Sequence, residues 1–286
     1  MPIAPTTPTT LVTGSRGRVG SALVRLLHRG GHSVRAASRH HGDLVLPAGV
    51  PSVACDLGDP DTFAAALDGV GSVFLYAEPS RITDFLAAAR TAGVGHIVLL
   101  SSSAVLAPDA ATNPIAAAHH AVEQALADSP ITATLLRPGA FAGNAHQWAE
   151  SFRSGRTVEL PYPHSRTSPI DEADIAEAAL AVLTDPRLQG AAYHLTGPAS
   201  LTAAEQVALL AEAAGRPVTV ETVSRDAWKK AVSPFMPEVI AEGLLDYWAA
   251  TEKSPADVTG DLPKLTGRPA RTFADWATGN AAAFRP

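Results

Sequence analysis

The stretch Thr10-Leu11-Val12-Thr13-Gly14-Ser15-Arg16-Gly17-Arg18-Val19-Gly20 decides the fold. A short apolar run, fit for a buried strand, leads into glycines at 14, 17 and 20. A helical pattern follows from Val19 to His28, with Val24, Leu26 and Leu27 facing a sheet, until Gly30-Gly31 ends it. At a strand-to-helix turn the first glycine permits the tight turn, the second lets backbone approach a pyrophosphate, and the third lets the helix lie close on the strand. The leading N–H groups of the helix then face the phosphates. This placement assigns Gly14, Ser15, Arg16, Gly17, Arg18, Val19 and Gly20 to a dinucleotide-binding loop.

Working outward, apolar runs at 33–38, 53–55, 73–76, 97–101 and 132–137 read as further strands. Helical patterns at 60–67, 82–92 and 115–127 separate them, the first opened by Asp59-Pro60 with proline in the first turn, where its missing N–H costs nothing. Strand, helix, strand at this spacing means parallel pairing through right-handed crossovers. The expected fold is therefore α/β, a doubly wound, mostly parallel Rossmann-type sheet. After Asn144 the pattern turns irregular: a short helix at 147–152, prolines at 161, 163 and 169, then helices at 171–183, 203–214, 237–250 and 273–284 around a strand at 192–195. We read residues 1–150 as an NAD(P)-binding domain and 151–286 as a smaller, mainly helical, substrate-binding cap interleaved with the sheet.

Composition narrows the chemistry. The 286 residues carry 22 basic and 28 acidic side chains, a net charge of −6, which argues against capture of nucleic acid. Of the basic residues only Lys229, Lys230, Lys253 and Lys264 are lysine. That excludes a lysine Schiff base, a phosphate-loop lysine and a Tyr-x-x-x-Lys catalytic pair from everything before Lys229. The lone Cys55 allows no internal disulfide and no thiolate metal cluster, and suits a reducing compartment. The start, MPIAPTTPTTLVTG, lacks a basic leader region, and no window approaches the roughly 18 apolar residues of a membrane span. A cytoplasmic protein is expected. A small-molecule substrate is the expected partner, a homodimer is compatible with the sequence, and neither nucleic acid nor membrane is expected.

The end of the second strand bears on cofactor type. An NAD site places an acid on the ribose 2′-hydroxyl about 20 residues past the glycines. Between Gly20 and Asp43 there is no Asp or Glu; Ser38-Arg39 ends the strand, with Arg16 and Arg18 in the loop, a set suited to forked recognition of a 2′-phosphate. NADP(H) is favoured over NAD(H).

The loop TGSRGRVG (13–20), the strand VRAASR (34–39), the serines ending at Ser103, and HHAVEQAL (119–126) all resemble the NmrA-like group of atypical short-chain dehydrogenase/reductases. So do LLRPGAFAGN (135–144) and TGRPARTFADWA (266–277), and the motifs fall in that group's order along nearly the whole chain. The resemblance implies that Asp56 and Leu57 flank the adenine, that Tyr76 and Ala77 line the ribose and nicotinamide side, and that residues from Pro138 to Phe141 close over the nicotinamide. In extended members of that superfamily the helix after the fifth strand carries Tyr-x-x-x-Lys, with Glu four residues on. Aligning that Glu with Glu123 puts Ile115 at the tyrosine and His119 at the lysine position. No such pair exists elsewhere, because Tyr76, Tyr162, Tyr193 and Tyr247 are followed four residues on by Ser80, Arg166, Gly197 and Thr251. The usual proton donor to a carbonyl is missing.

What remains for catalysis is His119 and Tyr76. His119 reads as an acid, as a group orienting the cofactor ribose, or as a structural helix histidine; its ordinary pKa leaves both protonation states open. The Tyr76 hydroxyl serves the site, or its ring simply packs. Ser101 to Ser103 end the fifth strand, with Ser101 expected at the cofactor and Ser103 at the substrate. Asn144 and Trp148 are expected on the substrate side, Trp148 having a core reading as well. His28 and His32 have helical ligand spacing, but glycines intervene, so no metal site is expected. Asp171-Glu172-x-Asp174 and Thr202-x-x-Glu205 read as helix starts. The leading functional expectation is an NADP(H)-dependent reductase of a small conjugated substrate: a quinone, enone or imine. A non-catalytic NADP-binding sensor and a non-redox isomerase or cyclase are the alternatives.

Overall fold

The computed structural model describes residues 8–286; the first seven, part of the amino-terminal stretch read above for a leader, lie outside them. Along the chain run β1 (Thr9–Val12), α1 (Arg18–Arg29), β2 (Val34–Ser38), β3 (Ser52–Ala54), α2 (Phe63–Leu67), β4 (Val70–Tyr76), α3 (Ile82–Thr91), β5 (His96–Leu100), α4 (Ala117–Ala127) and β6 (Thr132–Pro138). Then come α5 (Ala149–Ser154), β7 (Val158–Leu160), β8 (Arg166–Thr167), α6 (Glu172–Thr184), β9 (Ala192–Leu195), β10 (Leu201–Thr202) and α7 (Ala203–Ala214). The last elements are β11 (Val220–Thr222), α8 (Arg225–Val232), α9 (Glu238–Thr251), α10 (Asp261–Thr266) and α11 (Phe273–Asn280). The chain forms two compact units. The first holds residues up to Ala111, Ala116–Arg137 and Glu172–His194; the second holds Thr112–Ile115, Pro138–Asp171 and Leu195–Pro286.

A seven-stranded sheet in the order β3-β2-β1-β4-β5-β6-β9 organises the first unit. Its recorded pairings from β3 to β6 are all parallel, for example Val12 beside Ala36 and Phe74, and Leu99 beside Leu75 and Leu135. Leu135 N–H donates to Ala191 and Gly139 N–H to Leu195, so β9 runs the same way as β6. Strands covered on both faces read as continuous apolar runs, which is why Leu11, Val12, Val73, Leu75, Ile97, Val98 and Leu99 are wholly buried. Helix α1 packs against α6, while α2, α3 and α4 pack in series. Strand order reverses at β1 and β4, where open α/β sheets leave a crevice at the carboxyl ends.

Helix α6 and β9, which lie within the segment read above as a cap interleaved with the sheet, belong to the first unit and extend its sheet. The chain leaves after Arg137 and returns at Glu172, so the division falls earlier than residue 150 and in two places. Local patterning does not show which elements make that return, because α6 looks the same whichever surface receives its apolar face.

The second unit is built from short pieces. Strands β8 and β10 pair antiparallel, and β7 pairs with β11 in parallel. Its core gathers Phe152, Val158, Leu160, Leu210, Phe273, Trp276 and Phe284, with Phe152 and Phe284 edge to face, their ring centroids 5.4 Å apart. Capping boxes start α7 at Thr202/Glu205 and α11 at Thr272/Asp275. A second cluster, Trp228, Ala241 and Leu245 with Tyr162 and Trp248 against it, joins α8 to α9. No helix among the described residues is long and apolar enough to cross a membrane.

Candidate functional site

The loop after β1 is fastened on both sides. The Thr13 hydroxyl donates to the Phe74 carbonyl at 2.9 Å and accepts from the Tyr76 N–H at 3.1 Å, tying it to β4. The Ser15 hydroxyl donates to Val12 at 2.7 Å and accepts from the Ala37 N–H at 3.2 Å, tying it to β2. Ser15 is 2% exposed, and its backbone N–H also donates to the Ala37 carbonyl at 3.1 Å, so both its side chain and its N–H serve the frame. Gly14 takes φ 62°, and a Cβ there would lie 3.0 Å from the Tyr76 ring; a Cβ on Gly20 would lie 2.5 Å from the Gly14 carbonyl. The cradle is thus shaped by the lack of side chains. Helix α1 starts at Gly17 with no side-chain cap and no acid in its first turn, so its leading N–H groups are open to an anion.

The three arginines separate. Arg16 and Arg39 are exposed. Arg18, at the first position of α1, is held by the Glu172 carboxylate of α6 at 3.2 Å, and Glu172 is buried. At the ends of β3 and β4, Tyr76 experiences Asp56, Arg39 and Glu78 together: burial first and Asp56 next push its phenol above the ordinary range, and Arg39 opposes them. Tyr76 is therefore a protonated hydrogen-bond donor. The Asp56 carboxylate accepts from the Gly58 N–H at 3.0 Å. Leu57 and Val19 are buried, so each offers a ligand only its backbone, while Ala77 is half-buried.

At the end of β5, Ser101 is buried and donates its hydroxyl to Glu123 of α4 at 2.6 Å. Arg137, near the end of β6, grips the same carboxylate through Nε at 3.0 Å and Nη2 at 2.6 Å. His119 stands one turn before Glu123. Its Nδ1 is buried without a hydrogen-bond partner, and Nε2 reaches solvent. Burial lowers the pKa of the imidazole and Glu123 partly offsets this. Ser103 is half-buried in a turn whose start is capped by the Ser102 hydroxyl.

In the first unit the glycine loop, Arg39, Asp56 and Tyr76 lie at the ends of β1, β2, β3 and β4, Ser101 follows β5, and His119 is on α4. In the second unit, Pro138 is buried, and Phe141 bridges to Ile170 and is half-buried. Asn144 is exposed, and Trp148, partly buried, packs on the unit's aromatic core. His28 and His32 line a cavity of about 190 Å³ beside Arg35 and Pro51, and no metal-ligand cluster occurs among the described residues. Sequence reasoning missed Arg137 entirely and used Glu123 only for alignment. The signal was a lone acid among the apolar positions of a helix, Val122-Glu123 beside Leu126, followed by an arginine ending a strand.

Residues 6–258 match the sequence profile of the NmrA-like family. The chain is 37% identical over 281 residues to a (4-alkanoyl-5-oxo-2,5-dihydrofuran-3-yl)methyl phosphate reductase of Streptomyces griseus, covering 96% of this chain and 99% of that one. It is 36% identical over 285 residues to an NAD(P)H azoreductase of Xenophilus azovorans, covering 96% and 98%. Among solved structures, the NADPH complex of an NADPH-dependent quinone oxidoreductase from Escherichia coli aligns with a TM-score of 0.79 at 25% identity, over 94% of this chain and 99% of that one.

Proposed function

The chain belongs to the NmrA-like family, and from that premise we propose that it is an NADP(H)-dependent reductase of a small conjugated acceptor such as a quinone, an enone or an imine. The observation that carries the reading is the cradle after β1, where Gly14 and Gly20 leave room that a Cβ would fill, with Arg39 exposed at the end of β2 and no acid to take its place. The relatives' names, reductases of a dihydrofuranone phosphate, of azo compounds and of quinones, support an unsaturated, electron-poor acceptor.

When bound, the reduced nicotinamide supplies a hydride. The backbone of residues 14–20 and the start of α1 hold the diphosphate, and Arg39 with Arg16 holds the 2′-phosphate by charge-assisted hydrogen bonds. Arg18 serves less, because Glu172 already engages it. Asp56 and the backbone at Leu57 flank the adenine, with Ala77 and Pro138 nearer the nicotinamide side. His119 is the proton carrier, its solvent-reaching Nε2 open to recharging from water. Because burial disfavours the imidazolium, the charged form is the minority at neutral pH, and turnover that uses it rises as pH falls. Tyr76 donates a hydrogen bond without acting as a base. Ser101 is a frame residue, its proton committed to Glu123. Ser103, Phe141, Asn144 and Trp148 complete the substrate side of this reading, in a cytoplasmic protein for which a homodimer is allowed.

The test is NADPH consumption with a panel of quinones, enones and imines. Arg39→Ala is expected to raise KM for NADPH by about 10-fold or more, the loss of one charge-assisted contact, with little effect on NADH. A second reading, a non-catalytic NADP sensor, is favoured by the missing Tyr-x-x-x-Lys pair. Tight NADPH binding with no consumption by any acceptor would replace the reductase with the sensor. Indifference to Arg39→Ala in an active protein would instead point to a cofactor-independent isomerase or cyclase.

A further inference from the structure

Glu123 is 7% exposed and takes part in no transfer step, yet it receives three hydrogen bonds, one from Ser101 and two from Arg137. Stability alone is a poor reason for it, since apolar residues replace buried ion pairs without loss in many proteins. Its neighbour along α4 is His119, four residues earlier and hence on the same face of the helix. We propose that Glu123 is a positioning residue for His119: clamped by Arg137 and Ser101 one helical turn further along the same face of α4, its carboxylate sets a fixed negative charge beside the imidazole. The inference rests on the reading of His119 as the proton carrier.

The geometry makes the carboxylate immobile. Two arginine donors fix its plane, and the Ser101 proton occupies a further lone pair. The other surroundings of the ring carry little charge. Helix α4 packs against α3, whose Asp84 and Arg90 are exposed, and against the turn Ser103–Leu106, which has no charged residue. On α4 itself His120 is the adjacent titratable group, and from β6 Arg137 acts through the carboxylate that it clamps. Glu123, one turn along the same face of α4, opposes the effect of burial on His119. A purely structural Glu123 would hold α4 to the sheet without any bearing on how the imidazole titrates.

The test is the titration of His119 in the full-length protein, followed by NMR of ring-labelled histidine. Its resonance is identified among those of the ten histidines by its loss in His119→Gln. Glu123→Gln is expected to lower the His119 midpoint by about half a unit or more, the size of a carboxylate's effect one helical turn away. Glu123→Asp, which keeps the charge, is expected to restore most of the shift. Should Glu123→Gln fail to fold, the double variant Glu123→Gln/Arg137→Met removes both charges together and is expected to lower the midpoint as well. An unchanged midpoint in whichever of these folds, or an Asp variant that titrates like the Gln variant, overturns the proposal. The pH profile of NADPH turnover should move with the midpoint. If no acceptor is turned over, the titration still decides the role of Glu123, so failure of this inference and failure of the reductase reading are told apart.

Discussion

Each unit of this protein has a charge cluster built on an arginine, and the two clusters stand in opposite surroundings. In the first, Arg137 and Glu123 have side-chain exposures of 22% and 7%. In the second, Arg225 reaches Glu242, Asp246 and the Tyr162 hydroxyl, and Lys229 shares Glu242, at exposures from 26% to 72%. The second cluster has more partners and shorter reach to water. Number of contacts is therefore a poor guide to what each contributes: exposed pairs are screened and lose side-chain entropy, whereas a buried pair makes either partner intolerable alone. The first cluster joins β5, α4 and β6 at the carboxyl edge of the sheet. The second fastens α8 to α9.

The sharpest way to break this contrast is Arg137→Met. It strands a buried carboxylate and is expected to cost about 3–5 kcal/mol of unfolding free energy, measured by urea denaturation at neutral pH. The double variant Glu123→Gln/Arg137→Met should recover much of that loss. A cost for the single variant no greater than that of an exposed pair would show the first cluster to be no different in kind from the second.

Burial of a titratable group elsewhere in the first unit gives a smaller effect. His96, in β5, accepts or donates one bond to Thr134 through Nε2 at 2.8 Å, and its Nδ1 is buried without a partner. Burial lowers its pKa from 6.5 to about 4. Between those values the unfolded chain binds a proton that the folded chain refuses. Its contribution to stability is therefore complete above pH 6.5 and is lost as pH falls toward 4. The full loss is at most about 3 kcal/mol, from the shift at 1.36 kcal/mol per unit. Denaturation midpoints at pH 7.5, 5.5 and 4.5 check it, and His96→Gln should flatten the dependence. A wild-type curve flat across that window would refute the assignment.

Arg225→Ala tests the other half of the contrast and should do least. Despite its three partners it is expected to leave the denaturation midpoint nearly unchanged, with any difference fading as salt is raised. A loss comparable to that of Arg137→Met would show that the exposed network holds the second unit together.

The sequence carried the first unit's strands because each is buried on both faces and so spells its own apolar run, as in Leu11-Val12 and Ile97-Val98-Leu99. The second unit offered no such pattern. Strands of two or three residues, such as Arg166–Thr167 and Val220–Thr222, are too short for any period and exist because a partner strand is present. The same division runs through the site. Glycines that shape the cradle and the arginine ending β2 lie within one strand–helix–strand unit, so spacing alone exposes them. Ser101, Glu123 and Arg137 are 22 and 14 residues apart, and only parallel pairing of β5 with β6, with α4 between them, brings them together.

By itself, then, the amino-acid order determined a dinucleotide loop at the head of a parallel sheet, the absence of a tyrosine–lysine pair, and an arginine where an acid would be needed for NAD. These follow from local rules: backbone room at glycine, and the chemical character of one strand's end. Tertiary structure alone decided that α6 and β9 return to the sheet, that Arg18 is engaged by Glu172, that Ser101 has no proton to spare, and that His119 lies next to a clamped carboxylate. Each of those depends on burial and on contacts between distant segments, and the free energy of a charge or a hydroxyl is set by such surroundings rather than by its neighbours in the chain.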